Sequence, residues 1–181
     1  PYTLIMASPV PASIVKRRTE GVKAMLLPRG HEPMDNSAYP WLLGGAKTLS
    51  YAVNMAVLRY VQERGADDAI FITDERRVLE GATSSVLVAK IEDGKKVLYT
   101  PEPSHGILPG TTQGAVFEAA RQAGWELGFG PLYPQDLFES DGVWLASSVR
   151  LIAPVTHLNG TALAHDPELT ATLLNYLAQQ S

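Results

Sequence analysis

Several features that would point directly to a function are missing from this 181-residue sequence. Cysteine is absent, which excludes disulfide bonds and thiolate metal ligands. No apolar run reaches the roughly 20 residues of a membrane-spanning helix, and no charged lead precedes the apolar start as in a signal peptide. A net charge of −4 offers no basic surface for nucleic acid, and the four histidines show no metal-ligand spacing. These absences predict a cytoplasmic protein that uses neither nucleic acid, membrane nor metal.

The composition that remains suits one well-packed domain. Apolar residues make up 45% and charged residues 19% of the chain, as in ordinary globular proteins. A domain of this size buries roughly 70% of its unfolded surface, so residues 1–181 can share one core. Because the sequence begins with Pro1 inside a strand-like segment, we expect it to be a piece of a longer protein.

Hydrophobic periodicity and turn residues predict an α/β fold. Strands are predicted at residues 2–7, 21–28, 69–72, 78–79, 85–89, 97–99, 125–129, 143–146 and 151–155. Helices are predicted at about 48–64, 112–123 and 167–179, with a helical turn at 134–138 and long loops at 30–46 and 101–109. Both hairpin and βαβ links are implied, so we expect a mixed sheet, partly curled into a barrel, with flanking helices.

Lys47 is the first candidate for chemistry. It follows Gly44, Gly45 and Ala46, where a glycine-rich loop meets the predicted helix. The positive end of a helix dipole favours a neutral amine, which is the form that a Schiff-base nucleophile needs. A phosphate-binding P-loop is excluded, because that motif needs glycine directly before the lysine. A solvated surface lysine is the alternative.

Glu80 is the second candidate. It ends a predicted strand and is followed by glycine and small residues, three of them with hydroxyl groups, at 81–85. A carboxylate in such a polar pocket edge can pair with a protonated ring nitrogen and so keep the ring able to accept electrons. The alternative is a surface turn with a solvated carboxylate.

Two further segments suit an anion. Thr111 and Thr112 stand where a glycine-containing loop opens a helix, and the N–H groups of a helix N-terminus bind phosphate. Ser147 and Ser148 follow a buried strand, so they can hold the same phosphate from a second side. A plain capped helix and a polar β-turn are the alternatives.

None of these motifs is specific alone, but their order resembles the class IV, or fold-type IV, pyridoxal-phosphate-dependent aminotransferase family. Glu80 follows Lys47 by 33 residues, Thr112 follows Glu80 by 32, and Ser147 follows Thr112 by 35. The resemblance covers roughly residues 40–160. It implies that residues 1–181 form the family's large C-terminal, cofactor-binding domain.

The resemblance implies roles for seven residues toward pyridoxal 5′-phosphate. Lys47 matches the Schiff-base lysine, which also moves the substrate's α-proton, and Glu80 matches the partner of the pyridine nitrogen. Leu108 matches the aliphatic residue that packs on the ring. Thr111, through its backbone, and Thr112, Ser147 and Ser148 match the residues that bind the phosphate.

The sequence departs from the family pattern at two points. Gln113 stands where the family usually has arginine, which weakens the positive charge near the phosphate. The family's small N-terminal domain, which supplies an arginine to the phosphate and groups that contact the substrate, is not visible in this chain. An inactive, cofactor-free fragment is therefore one of the alternatives.

The family contains branched-chain aminotransferases, D-amino-acid aminotransferases and 4-amino-4-deoxychorismate lyases. Branched-chain enzymes tend to have Gly-Thr where this chain has Ser147 and Ser148, and the stretch at residues 46–50 is similar to the lyases and D-amino-acid enzymes. The resemblance thus implies a homodimeric enzyme acting on a small amino substrate. The favoured reaction is the lyase, which forms 4-aminobenzoate and pyruvate for folate biosynthesis. An aminotransferase for branched-chain or D-amino acids is the alternative.

Overall fold

The computed structural model describes residues 2–30, 41, 45–103 and 106–179. Within them, the helices are α1 (Ala12–Glu20), α2 (Ala52–Gln62), α3 (Thr111–Gln122), α4 (Pro134–Phe138) and α5 (Pro167–Ala178). The strands are β1 (Val22–Pro28), β2 (Asp68–Ile72), β3 (Val78–Gly81), β4 (Ser85–Glu92), β5 (Lys95–Pro101), β6 (Glu126–Gly130), β7 (Gly142–Ser147), β8 (Leu151–Leu158) and β9 (Thr161–Ala162). Most of the predicted loop at 30–46 lies outside the described residues.

The strands join in one mixed sheet with the order β3-β2-β1-β8-β7-β4-β5-β6, and β9 pairs with β8. β1 runs parallel to β2 and β8, and β5 runs parallel to β6. The other described pairs are antiparallel. The sheet curls through 234° into a half-barrel with flanking helices. The predicted α/β fold with a partly curled mixed sheet is confirmed.

The central strands are buried on both faces, and β4 shows this most clearly. Val86 and Val88 belong to a cluster that also takes in β1, β2 and β8. Leu87 and Ala89 belong to a second cluster, which includes residues of α3 and α5. Alternate side chains of a strand point to opposite faces, so a strand covered on both sides consists almost entirely of apolar residues.

Local sequence signals account for several element boundaries. Asp93 and Gly94 both have positive φ, 49° and 79°, as a two-residue hairpin turn between β4 and β5 requires. The Asp166 carboxylate accepts hydrogen bonds from the backbone N–H groups of Glu168 and Leu169, so it caps α5 at its first turn.

The start of the chain differs from the prediction. Residues 2–7 form no strand, and Tyr2, Leu4, Ile5 and Met6 are at least 84% exposed. A strand needs a neighbouring edge to satisfy its backbone groups, and the described part of the chain provides none there. α1 was not predicted because its sequence shows no apolar stripe. In agreement with this, none of its residues is buried in the structure.

α2 is shorter than predicted and faces another way. The prediction placed its apolar stripe on Leu49, Ala52, Val53, Ala56, Val57, Tyr60 and Val61. Only Val61 is buried, while Val57 and Leu58 pack partly buried against the cluster around Phe71 and Leu79. The inward face instead carries Val57, Leu58 and Val61 together with Asn54, whose side chain donates to the backbone carbonyl of Ala82. None of the helices in the described ranges is both long and apolar enough to cross a membrane.

Candidate active site

Glu80 lies on β3 and is held at both carboxylate oxygens. Its Oε2 accepts the backbone N–H of Leu108 at 3.2 Å. Its Oε1 lies 3.3 Å from Nη1 of Arg29, in an ion pair whose side chains are 18% and 25% exposed. The carboxylate therefore has a fixed orientation in a half-buried setting.

Arg29 was not among the residues predicted to form the site. It directly follows β1, and its backbone N–H donates to the carbonyl of Ile72 at 3.0 Å, which extends the β1–β2 pairing by one residue. Its guanidinium lies 5.9 Å from the centroid of the Phe71 ring. Glu80 is two strands away, so only the sheet order β3-β2-β1 brings the two residues together.

Opposing effects act on the Glu80 carboxyl. Burial raises its pKa above the ordinary value of 4.5, and this is the largest effect. The Leu108 N–H and the Arg29 guanidinium lower the pKa, but they do not cancel the effect of burial. A cationic group placed beside Glu80 would further favour its ionised form.

The loop before α3 contacts the Glu80 region through its backbone. Ile107 is buried in one cluster with Leu79 and Ala82, which flank Glu80 in sequence. The next residue, Leu108, is partly exposed and donates its N–H to Glu80. The structure thus brings together Glu80 and Leu108, two residues that the family resemblance assigns to one site.

The start of α3 packs against the start of β4. Gly110 is the N-cap residue and directly precedes Thr111, the first residue of the helix. A Cβ built on Gly110 would lie 2.4 Å from Oγ of Ser85. Only glycine lets the two segments approach this closely. Ser85 in turn pairs with Ala146 of β7, directly before Ser147, so the two predicted phosphate-binding segments are neighbours.

Gln113 has a structural role at this helix end. It is buried, and its Oε1 accepts the backbone N–H of Gly110 at 3.3 Å. This is half of a capping box, in which the third helical residue satisfies the N-cap N–H. The next N–H groups, on Thr111 and Thr112, have no acceptor within the helix. The side chain of Thr111 is exposed and that of Thr112 is buried.

Lys47 is exposed and precedes the helix rather than beginning it. α2 starts at Ala52, so the predicted effect of the helix dipole on Lys47 loses its basis, since that effect is confined to the first turn. The amine Nζ donates to the hydroxyl of Tyr51 at 2.6 Å and lies 5.1 Å from the Tyr51 ring centroid. The described contacts therefore place Lys47 beside Tyr51, not beside Glu80.

Asn54 links the lysine segment to the rest of the site. It lies on α2, seven residues after Lys47, and its Nδ2 donates to the backbone carbonyl of Ala82. Ala82 is two residues after Glu80 in the turn between β3 and β4. The helix that follows Lys47 is thus fixed to the turn that follows Glu80.

These groups fit pyridoxal phosphate. Glu80 offers an oriented carboxylate to a ring nitrogen. The α3 N-terminus and the Ser147–Ser148 turn offer N–H and hydroxyl groups to a dianion, and Lys47 offers an accessible amine to an aldehyde. The close packing of Gly110 on Ser85 joins the two segments that are predicted to bind the phosphate. His105, a further candidate for this cleft, lies outside the described residues.

A substitution tests the packing of α3 on β4. Gly110→Ala should force the Ser85 hydroxyl aside, weaken pyridoxal phosphate binding and lower stability by about 1–3 kcal/mol, as overpacking does. Adding Ser85→Ala should restore both properties, because the clashing oxygen is gone. Gly114→Ala, whose Cβ meets nothing within 4 Å, should instead stabilise α3 by about 1 kcal/mol. Thermal melts and cofactor titrations of the four proteins decide the matter, and equal melting of Gly110→Ala and wild type would contradict it.

The fold and the site define a class of protein. The family model described as "Amino-transferase class IV" matches residues 4–158, so the chain belongs to the class IV aminotransferases, a family of pyridoxal-phosphate-dependent enzymes. Over 170 residues it is 46% identical to the "Bifunctional aminodeoxychorismate lyase / D-amino acid transaminase" of Mycobacterium tuberculosis (strain ATCC 25618 / H37Rv), which covers 92% of this chain and 59% of that protein. The predicted family and its cofactor are confirmed.

Other relatives support the same family. A D-alanine aminotransferase of Listeria innocua serovar 6a is 30% identical over 142 residues, with 77% of this chain and 47% of that protein covered. The PLP-bound structure of a hypothetical aminotransferase from Mycobacterium tuberculosis superimposes with a TM-score of 0.89 at 45% identity, covering 97% of this chain and 62% of that one. The chain thus spans about three fifths of the length of the Mycobacterium proteins that it matches.

Proposed function

We propose that this chain is the cofactor-binding part of a 4-amino-4-deoxychorismate lyase that also transaminates D-amino acids. The observation that carries the proposal is its 46% identity, over nearly the whole chain, to a protein named for both activities. The lyase reaction converts 4-amino-4-deoxychorismate into 4-aminobenzoate and pyruvate, which serves folate biosynthesis. A branched-chain aminotransferase is the weaker alternative, since such a relative is only 25% identical.

The proposed roles are supported by described contacts for Glu80 and by exposure for Lys47, and the role of Leu108 follows from the family pattern. Glu80 is oriented by Arg29 and by the Leu108 N–H, so its carboxylate can hold a ring nitrogen protonated. Pyridoxal phosphate, when bound, supplies the electron sink for the reaction. Lys47 has an exposed amine, which can bind the cofactor's aldehyde and then move the proton at the substrate's amine-bearing carbon. Leu108 covers the ring.

The phosphate is proposed to lie between the N-terminus of α3 and the turn that follows β7. The free backbone N–H groups of Thr111 and Thr112, at the start of α3, can donate to the phosphate, and a helix N-terminus attracts a dianion. The hydroxyls of Ser147 and Ser148 approach from the end of β7, which is joined to the start of α3 through Ser85. Four groups from two directions would hold one phosphate.

We also propose that residues 1–181 are one domain and that the protein acts as a homodimer. The exposed side chains of Val53 and Tyr60 on α2, and of Leu49 shortly before it, support the second proposal, because they expose apolar surface that a second copy can cover. Trp41 is also exposed, whereas Trp144 is fully buried in the core.

Assays on the full-length protein test the proposed reaction. With 4-amino-4-deoxychorismate as substrate, 4-aminobenzoate should appear in step with pyruvate and without any keto-acid acceptor. With D-alanine and 2-oxoglutarate, pyruvate and D-glutamate should appear, whereas L-leucine should give no product. Because pyruvate arises in both reactions, 4-aminobenzoate is the product that identifies the lyase. Transamination without any 4-aminobenzoate would leave only the aminotransferase.

A further inference from the structure

The turn that carries Ser147 and Ser148 has a strained backbone and is held in place by side-chain contacts with α1 and β2. It joins β7 to β8, and Ser147 pairs across it with Leu151. Leu151 has a φ of +64°, the left-handed region that a bulky residue other than glycine rarely occupies. Such a conformation persists only where surrounding contacts enforce it, and it is concentrated at functional sites.

Arg18 provides one of these contacts. It lies on α1, far from the turn in sequence, and its guanidinium spans two successive turn carbonyls. Nε donates to the carbonyl of Arg150 at 2.9 Å, and Nη2 donates to the carbonyl of Val149 at 3.0 Å. The planar fork of arginine can make both bonds at once, whereas a lysine offers a single point charge.

Arg150 provides the second contact from within the turn. Its side chain is 9% exposed, and Nη1 donates to Oδ2 of Asp68 at 2.7 Å. Oδ1 of Asp68 also accepts the backbone N–H of Ala69, so this carboxylate is fixed to β2. Nε and Nη2 of Arg150 are buried without a partner among the described residues. Only Nη1 of Arg150 is therefore engaged by Asp68, and the side chain ties the turn to β2 from a buried position.

We propose that Arg18 and Arg150 are positioning residues for the phosphate of the cofactor. The two arginines hold the turn 148–150 against α1 and β2 and do not touch the phosphate. Ser147 and Ser148 thereby keep the geometry that phosphate binding requires. This inference rests on the proposed function, since it assumes that the serine turn binds the phosphate.

The experiment compares binding of pyridoxal phosphate with binding of pyridoxal, which lacks the phosphate, to the full-length protein. The dissociation constant of pyridoxal divided by that of pyridoxal phosphate measures the contribution of the phosphate to binding. Arg18→Ala should reduce this ratio about 10-fold, as loss of a supporting partner does at other ligand sites, and should leave pyridoxal binding unchanged. The control is Arg17→Ala on the same helix, because Arg17 pairs with Asp67 and does not contact the turn.

Arg150 needs a paired substitution, because removing it alone leaves the Asp68 carboxylate buried without its partner. Arg150→Met combined with Asp68→Asn removes both charges, and the ratio should fall as with Arg18→Ala. Arg18→Lys should recover only part of the loss. If both variants keep the wild-type ratio, the positioning role is wrong while the phosphate site stands. If the wild type itself binds pyridoxal as tightly as pyridoxal phosphate, the proposed phosphate site fails and the positioning role with it.

Discussion

Replacing Lys47 with alanine in the full-length protein should abolish covalent attachment of pyridoxal phosphate. After borohydride reduction, the wild type should carry the mass of the cofactor on the peptide that contains residue 47, and Lys47→Ala should carry none there. Turnover should fall by about 10²–10⁴-fold, the range associated with loss of a positioned acid–base group. The cofactor should still bind without a covalent bond, because Glu80 and the phosphate-binding segments are unchanged.

Surface lysines also react with aldehydes, so a second lysine serves as control. Lys16 is exposed on α1 and pairs with Glu20 at 3.1 Å. Lys16→Ala should retain both the modified peptide and the activity of the wild type. Full activity of Lys47→Ala would overturn the assigned role of Lys47.

Glu80→Gln should lower turnover strongly while leaving cofactor binding largely intact. Glutamine can occupy the same space but has no negative charge to hold a ring nitrogen protonated. Loss of one oriented electrostatic group at a reacting centre costs about 10²–10³-fold in rate. Glu118→Gln is the matched control, since Glu118 lies on α3 and pairs with Arg121 at the surface. Equal turnover of Glu80→Gln and wild type would remove Glu80 from the mechanism.

The same variant should change how stability depends on pH in the cofactor-free protein. Burial raises the pKa of Glu80, so the folded state binds this proton more tightly than the unfolded state does. The stabilisation that comes from binding this proton is therefore fully present below pH 4.5, the ordinary pKa of the carboxyl group. It is lost as the pH rises through the raised pKa of Glu80 in the folded state. Melting temperatures of Glu80→Gln relative to wild type should rise with pH across this window. A constant difference would contradict the direction of the shift.

Much of this architecture could be predicted because its signals are local. The hairpin at Asp93 and Gly94, the Asp166 cap and the apolar strands are each encoded within a few residues. Gln113 also carried a local signal, since a glutamine three residues after an N-cap position is typical of a capping box. The comparison with the family's arginine at this position concerns only charge and does not indicate that Gln113 caps α3.

The contacts made by arginine could not be predicted in this way. Arg29 meets Glu80 only because β1 and β3 flank β2, and Arg18 meets the serine turn only because α1 contacts β8. Sheet order is a property of the whole chain, and no spacing in the sequence encodes it. α2 shows the converse limit, because its apolar spacing is a local signal, yet the face that it turns inward carries the polar Asn54 beside Val57 and Val61.

The exposed segment at residues 2–8 has a consequence for contacts between molecules. It carries no charge, proline or glycine, and it includes Leu4, Ile5 and Met6, which face solvent. A short, uncharged segment of strand-forming residues is a template for pairing between molecules. Where these side chains stay exposed, association through residues 2–8 would therefore increase with concentration, independently of any contact made by the sheet and its helices.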